Sequence, residues 1–283
     1  MSYPQLGSRY KFIKKLGEGG VGVVNLAIDS HSGFPVAVKT LTSSYEDTSP
    51  ILRKFKIEAN IYLGINHPNI VQLKAPGLII KKKSNKINQI HLVMEYVDGL
   101  TLDNYVHNIT GPIPLEIVVP LFKQIVSAIG FAHDKKIPIE GYKGVLHLDI
   151  KPNNIFILGN GTVKVIDYGI SQGAEEERGE VMGTLMYMAP EQYDKRYILD
   201  KRTDIYALGC LLHFMVTGAN PFTANSQEDL AYKARYEKTR RIKKIYPAAD
   251  GKFQYLIDKA TQKYPDDRFQ TCNEIITYLD AML

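Results

Sequence analysis

The chain has 283 residues and a mass of 31.9 kDa, and 45% of its residues are hydrophobic and 23% are charged. This composition is that of a globular protein, and it excludes a disordered, collagen-like or mucin-like chain. The length predicts two domains or one large unit with two lobes. The net charge of 35 − 30 = +5 is mild and fits a local anionic ligand better than a surface that covers nucleic acid. We therefore expect no nucleic-acid partner.

The cysteines and the apolar segments indicate in which cellular compartment we expect the chain. Only Cys210 and Cys272 occur, without the spacing of a metal-binding pair, which excludes a disulfide framework and favours a reducing, cytoplasmic setting. We expect no membrane contact from this chain, because its most apolar window, residues 206–216, is about half of the ~20 residues that a spanning helix needs. The N-terminus also lacks the apolar stretch of a signal peptide. The abrupt end after a helical pattern is compatible with flanking domains or a regulatory partner in a longer protein.

The first hundred residues are predicted to be mainly strands. Residues 21–28 and 36–41 are β-branched runs joined by a turn-rich connector, which predicts a hairpin. Two later strands are predicted at 77–80 and 90–97, with the polar, basic stretch between them as a hairpin tip or a longer loop.

One helix is predicted within this part of the chain, over residues 50–65. Pro50 suits its first turn. Its apolar face is expected to consist of Phe55, Ala59, Tyr62 and Leu63.

After residue 97 the pattern changes to helices. They are predicted at 102–109, 115–133, 203–217, 227–238, 252–262 and 271–282. Residues 145–170 interrupt them with short apolar runs and a small hairpin across Gly159, Asn160 and Gly161. A mostly β part followed by a mostly α part predicts an α+β chain with two lobes, 1–97 and 98–283, that meet at a cleft.

A glycine-rich segment lies near the N-terminus, with Gly17, Gly19 and Gly22 in G-x-G-x-x-G spacing. A dinucleotide-binding turn has the same spacing but leads into a helix. Here the glycines lead into a second strand, where their backbone N–H groups can approach phosphates closely. Taken alone, the motif could equally be an ordinary flexible hairpin.

The next candidate is the strand that carries Ala37 and Lys39. Alternation puts both on one face, so that a flat ring can stack beside the small residue while the ammonium reaches phosphates. A lone lysine on a strand is more often a snorkelling surface residue. Glu58, on the predicted helix, is a candidate partner for its charge.

A polar cluster follows in residues 147–156, where Asp149, Lys151 and Asn154 lie between apolar runs. A carboxylate, a lysine and an amide together can accept a hydroxyl proton, neutralise phosphate and bind a metal ion. Asp167 follows in the triplet Asp-Tyr-Gly, which alone would only indicate a turn.

Together these motifs resemble those of the eukaryotic-like serine/threonine protein kinases, in the form of the bacterial soluble kinase domains. The order and approximate spacing match the kinase signature set, which continues with Ala189-Pro190-Glu191 and ends with Arg268. The resemblance covers essentially the whole chain. It implies a bilobal fold with a small β-rich N-lobe, which contains one main helix, and a larger helical C-lobe.

The resemblance also implies a role for each matching residue. In phosphoryl transfer, Asp149 would be the base, Lys151 would contact the γ-phosphate, Lys39 would hold the other phosphates and pair with Glu58, and Thr184 would contact the catalytic aspartate and lysine. ATP would be bound by Gly17, Gly19, Gly22, Val24, Ala37, Lys39, Met94, Glu95, Val97 and Phe156. Mg²⁺, or Mn²⁺ in its place, would be bound by Asn154 and Asp167. Glu191 and Arg268 would form a structural ion pair, and Asp204 would anchor the catalytic loop.

The implied function is transfer of the ATP γ-phosphate to serine or threonine hydroxyls of protein substrates. Leu148 stands where the family usually has an arginine that meets a phosphate on the activation segment, so we expect activity without phosphorylation of that segment. The alternative is a kinase-fold scaffold with little turnover. Residues 135–144 lengthen the link into the catalytic loop and are expected to form a surface loop.

Overall fold

The computed structural model describes residues 9–19, 22–41, 49–83, 86–135, 144–168, 185–194, 197–247 and 249–282. Its N-terminal part is built around a five-stranded antiparallel sheet in the order β1-β2-β3-β5-β4. The strands are β1 (Tyr10–Gly19), β2 (Gly22–Asp29), β3 (Pro35–Leu41), β4 (Leu73–Lys83) and β5 (Lys86–Glu95).

The predicted hairpin between β2 and β3 is confirmed, but the second hairpin is longer than expected. β4 and β5 pair as far as Lys83 and Lys86, so most of the stretch 81–89 is strand and not loop. The sequence did not predict these longer strands, because lysine is uncommon in strands. β5 ends at Glu95, one residue after the pairing of Ala37 with Met94.

The predicted helix is α1 (Pro50–Gly64), with its proline in the first turn. Phe55, Ala59 and Tyr62 are buried as expected, but Leu63 is 63% exposed. Leu63 follows Tyr62 directly, so it lies about 100° further around the helix and points away from the core. Leu52 and Ile61 complete the buried face.

The C-terminal part is helical. The helices are α2 (Leu102–Tyr105, followed by a wider π-helical turn to Thr110), α3 (Leu115–His133), α4 (Lys201–Thr217), α5 (Gln227–Tyr236), α6 (Ile242–Ile245), α7 (Gly251–Ala260) and α8 (Cys272–Asp280). All but α6 were predicted. That helix has only four residues, too few for a periodic pattern to show.

Helix α3 is the central helix of this part and packs against α4 and α8. Its 19 residues contain an 18-residue window with a mean hydropathy of 1.6, so length and composition alone would allow it to cross a membrane. Its core-facing side chains Val118, Phe122, Ile125 and Ile129 are buried inside the fold. That burial gives α3 the properties of a core helix.

A second, three-stranded antiparallel sheet is formed by short strands that precede α2 and follow α3, and the polar motifs flank its last two strands. It consists of β6 (Gly99–Thr101), β7 (Ile155–Leu158) and β8 (Val163–Val165). Val165 also forms a parallel bridge with Ile70, on the segment that joins α1 to β4. This bridge holds the small sheet against the N-terminal part. The division of the chain at residue 97 stays a prediction.

Candidate active site

The Lys39 ammonium contacts two carboxylates from distant parts of the chain. Lys39 lies on β3, and its Nζ is 2.8 Å from Oε1 of Glu58 on α1 and 3.1 Å from Oδ1 of Asp167. Burial alone would lower the pKa of Lys39, but the carboxylates of Asp167 and Glu58 raise it above its ordinary value. Lys39 is therefore a fixed positive charge, and its partner Glu58 was the one proposed from sequence.

Asp167 follows β8 and differs from its neighbours in exposure. Its side chain is 45% exposed, whereas those of Lys39 and Glu58 are 11% and 2% exposed. Burial would raise the pKa of Asp167, but the Lys39 ammonium, helped by His147 and Lys151, lowers it below the ordinary value. The result is an ionised carboxylate that is accessible from one side.

Asp149, Lys151 and Asn154 lie together, as the sequence predicted. The Oδ2 atom of Asp149 is 2.8 Å from Nζ of Lys151 and accepts a hydrogen bond of 2.8 Å from Nδ2 of Asn154. The same Nδ2 donates to the backbone carbonyl of Asp149 at 2.9 Å. Because the amide nitrogen of Asn154 is committed to Asp149, its amide oxygen is the atom it can offer a cation.

The segment that carries this cluster is held by Asp204, a fully buried residue in the first turn of α4. Its Oδ2 accepts from the backbone N–H of His147 and its Oδ1 from that of Leu148, both at 2.8 Å. Leu148 has φ +60°, a conformation that costs a leucine energy, so Asp204 holds a strained turn in place. Burial would raise the pKa of Asp204, but the hydrogen bond from His133 lowers it.

Two glycines of the glycine-rich motif, Gly17 and Gly19, lie within β1, and Gly22 starts β2 opposite Gly19. Gly22 has φ +129°, and a Cβ there would lie 2.2 Å from the carbonyl oxygen of Thr40. Any other residue at position 22 would force β2 away from β3. Nothing lies within 4 Å of a Cβ at Gly17, so the sheet itself does not demand glycine there.

The residues expected around the adenine ring lie on both sheets. Val24, Ala37, Met94 and Val97 belong to or pack on the main hydrophobic core. Phe156 lies on β7, on the opposite face from buried Ile155 and Ile157. Glu95 ends β5; its carboxylate accepts a hydrogen bond from Nζ of Lys164 at 2.6 Å, and its backbone N–H donates to the carbonyl of Gln72 at 2.9 Å.

The predicted ion pair between Glu191 and Arg268 is present and buried. Nη1 and Nη2 of Arg268 donate to the two carboxylate oxygens at 2.7 and 2.8 Å. Thr184 and residues 136–143 of the expected surface loop lie outside the described residues.

The site residues fit ATP and Mg²⁺ in charge and in donor type. Mg²⁺ prefers oxygen ligands and is usually held by one or two protein groups together with substrate phosphates. Asp167 offers a half-exposed carboxylate and Asn154 an amide oxygen, while Lys39 and Lys151 supply positive charge for phosphates. Across the described ranges, no three His, Cys, Asp or Glu side chains form a metal-binding group by themselves. The protein ligands that this site offers to Mg²⁺ are Asp167 and Asn154.

Sequence reasoning missed the contacts of Tyr62, Lys164 and His133. Tyr62 was assigned to the core for its apolar face, yet its hydroxyl accepts hydrogen bonds from the backbone of residues 167 and 168. Lys164 lies between two valines on a short strand, and His133 ends α3. For Tyr62, the signal in the sequence was a polar group at a position predicted to be buried.

The chain is similar in sequence to known protein kinases over nearly its whole length. The family model of the protein kinase domain matches residues 10–278. A probable serine/threonine-protein kinase of Clostridium perfringens is 35% identical over 98% of this chain, which covers 38% of that protein. The serine/threonine-protein kinases PrkC of Bacillus subtilis and PknB of Mycolicibacterium smegmatis are 33% and 34% identical over 96% and 97% of this chain.

The chain spans about two fifths of the length of these curated relatives, 40% of PrkC and 43% of PknB. The matched family model, in contrast, extends over nearly the whole chain. The polar motifs, the β-rich N-terminal part and the helical C-terminal part all fall within that match. The chain therefore belongs to the protein kinase domain family.

Proposed function

We propose that this domain transfers the γ-phosphoryl group of ATP to serine or threonine hydroxyls of protein substrates. The observation that carries the proposal is the arrangement around Asp149, whose carboxylate is oriented by Asn154 and paired with Lys151 at 2.8 Å. A base held in this way can orient a hydroxyl and accept its proton. The names of the relatives, all serine/threonine kinases, support hydroxyls of this type as acceptors.

Each charged residue has a part in this reaction. Phosphoryl transfer depends on positioning and on electrostatic stabilisation of charge on the phosphate oxygens. Lys39, fixed by Glu58, would hold the phosphates that stay on the nucleotide, and Lys151 would stabilise the transferred group. Asp167 and Asn154 would hold Mg²⁺, which when bound supplies positive charge to the phosphates.

We further propose that activity does not require phosphorylation of the activation segment. Residue 148, where the resemblance to the kinase motif implies an arginine, is a leucine whose backbone N–H donates to Asp204 and whose side chain carries no charge. Between Asp167 and Glu191 the only serine or threonine residues are Ser171 and Thr184. A phosphate added to either residue would lack the positive charge that an arginine at position 148 would supply.

The first test is transfer of labelled phosphate from ATP and Mg²⁺ to generic basic protein substrates, with the acceptor residues mapped by mass spectrometry. Label on serine or threonine is expected from the wild type and not from Asp149→Asn. Absence of label together with absence of nucleotide binding would favour the scaffold alternative.

The second test uses protein co-expressed with a phosphatase and verified as unmodified. We expect a linear time course from the first minutes. A long lag, ended by phosphorylation between residues 167 and 191, would contradict the second proposal.

We also propose a cytoplasmic location for this domain, on the ground that its proposed substrate is ATP and that Cys210 and Cys272 are buried free thiols.

A further inference from the structure

The hydroxyl of Tyr62 contacts the backbone of the segment that carries the expected metal ligand. It accepts a hydrogen bond of 2.8 Å from the backbone N–H of Asp167 and a longer one of 3.4 Å from that of Tyr168. Tyr62 is 3% exposed, and its ring meets that of Tyr168 edge to face with centroids 6.2 Å apart. The Tyr62 hydroxyl is thus a polar group within an otherwise aromatic contact between α1 and the residues that follow β8.

Asp167 needs such a partner because its backbone is strained. Its φ is +60°, in the left-handed region that non-glycine residues rarely adopt. A residue in this conformation persists only where its surroundings hold it. The N–H that Tyr62 accepts belongs to this same residue, so the hydrogen bond acts at the point of strain.

Helix α1 reaches Asp167 by two routes. Glu58 holds Lys39, which in turn contacts the Asp167 carboxylate. Tyr62, four residues later and therefore on the same face of the helix, holds the backbone of Asp167 directly. The first route places a positive charge beside the Asp167 carboxylate, and the second holds the backbone from which that side chain extends.

We propose that the Tyr62 hydroxyl is a positioning group that sets the Asp167 carboxylate in its metal-binding orientation. This inference rests on the proposed function, since it assigns Asp167 to the magnesium ion. The contacts of the hydroxyl are with the backbone N–H groups of Asp167 and Tyr168. Its effect passes through the Asp167 backbone, whereas the apolar packing of the site depends on the ring, which phenylalanine would keep.

The matched test compares Tyr62→Phe with Tyr278→Phe. Tyr278 lies on α8, and its hydroxyl donates at 3.2 Å to the carbonyl of Lys252. Both changes remove one hydrogen-bonded phenolic oxygen and keep the ring, but only the first is next to Asp167. The affinity for ATP is measured calorimetrically in EDTA and in Mg²⁺, together with kcat and the Mg²⁺ concentration at half-maximal rate.

We expect Tyr62→Phe to bind ATP in EDTA within about twofold of the wild type. The tightening of ATP binding by Mg²⁺ should fall by about tenfold, as loss of one well-placed hydrogen bond predicts. The Mg²⁺ requirement of the reaction should rise and kcat should fall, while KM for ATP at saturating Mg²⁺ changes little. Tyr278→Phe should match the wild type in all of these measurements.

Amide hydrogen exchange gives a readout that does not depend on activity. In the wild type, the amides of residues 167 and 168 should be protected, and in Tyr62→Phe they should exchange faster. The amide of Ile166, which donates to the carbonyl of Asn154 at 3.0 Å, should keep its protection. A general loosening of the fold would expose all three amides.

Two results would overturn the proposal. One is an unchanged effect of Mg²⁺ on ATP binding in Tyr62→Phe, and the other is an equal loss of affinity in EDTA and in Mg²⁺. If the wild type bound ATP and Mg²⁺ but transferred no phosphate, the proposed function would fail while the binding and exchange measurements still decided the role of Tyr62.

Discussion

The Nζ atom of Lys164 lies 2.6 Å from Oε1 of Glu95, and this ion pair joins the small sheet to the last residue of β5. The same oxygen accepts a hydrogen bond from the backbone N–H of Gln72, whose carbonyl accepts from the N–H of Glu95. Lys164 is also the partner of Phe156 across β7 and β8. The pair therefore connects the backbone expected to bind adenine with the strand that carries Phe156.

We expect Lys164→Met to raise KM for ATP severalfold and to leave kcat nearly unchanged. The side chains of Lys164 and Glu95 are 13% and 20% exposed, so the bond is largely shielded from water. Its loss should cost about 1–2 kcal/mol and lower the melting temperature by a few degrees. Lys123→Met is the control, because it removes an ion pair whose carboxylate, on Asp280, is 62% exposed. Equal effects of the two changes would contradict this role.

Asp149→Asn should lower kcat by about 10²–10⁴-fold, the usual contribution of a general base. The amide is nearly the same size as the carboxylate and keeps an oxygen for the hydrogen bond from Asn154. Binding of ATP should stay within a few-fold of the wild type, because the base acts on the acceptor hydroxyl. Rates near those of the wild type would show that another group accepts the proton.

Arg268→Met should destabilise the C-terminal part by about 3–5 kcal/mol, because it leaves the carboxylate of Glu191 buried without its counter-charge. Arg268 also donates hydrogen bonds to the carbonyls of Arg202, Gln262 and Lys263, and these acceptors lose that donor in the variant. Urea unfolding followed by circular dichroism measures this change.

The double variant Glu191→Met with Arg268→Met serves as the comparison. Its loss of unfolding free energy should be smaller than the sum of the losses in the two single variants, because it leaves neither charge buried alone. Strict additivity of the two losses would show that the two side chains act independently.

The elements with a strong periodic pattern could be predicted from the sequence, whereas their contacts could not. Helix α3 begins and ends where its apolar spacing placed it, and α1 differs from the prediction by one residue. The error at Leu63 arose because one apolar residue at the edge of the buried face looked like part of it. The lysine-rich ends of β4 and β5 carry little strand propensity and are strands because they pair with each other.

The two strained residues of the site illustrate what local sequence does not encode. Leu148 and Asp167 both have φ near +60°, yet neither is a residue type that favours this conformation as glycine does. Each is held by a side chain distant in sequence, Asp204 for the first and Tyr62 for the second. The motifs therefore predicted which residues belong to the candidate site, while the geometry of these residues depends on the tertiary structure.

Lys263 predicts a distinct dependence of stability on pH. Its Nζ donates to the carbonyl of Ala234 and lies over the ring of Phe222, and burial lowers the pKa of its ammonium from 10.5 to about 8. Between these two values the unfolded chain binds the proton more strongly than the folded one. The contribution of Lys263 to stability is therefore unfavourable below pH 8 and improves as the pH rises toward 10.5.

The measurement is the difference in unfolding free energy between the wild type and Lys263→Met, by urea at pH 7 and at pH 9.5. That difference should shift in favour of the wild type at the higher pH, by less than about 2 kcal/mol because solvent partly screens the ammonium. Groups common to both proteins cancel, since only residue 263 differs. Lys243→Met, at an exposed position on α6, is the matched control. A pH-independent difference for Lys263→Met would mean that the ammonium keeps its ordinary pKa in the fold.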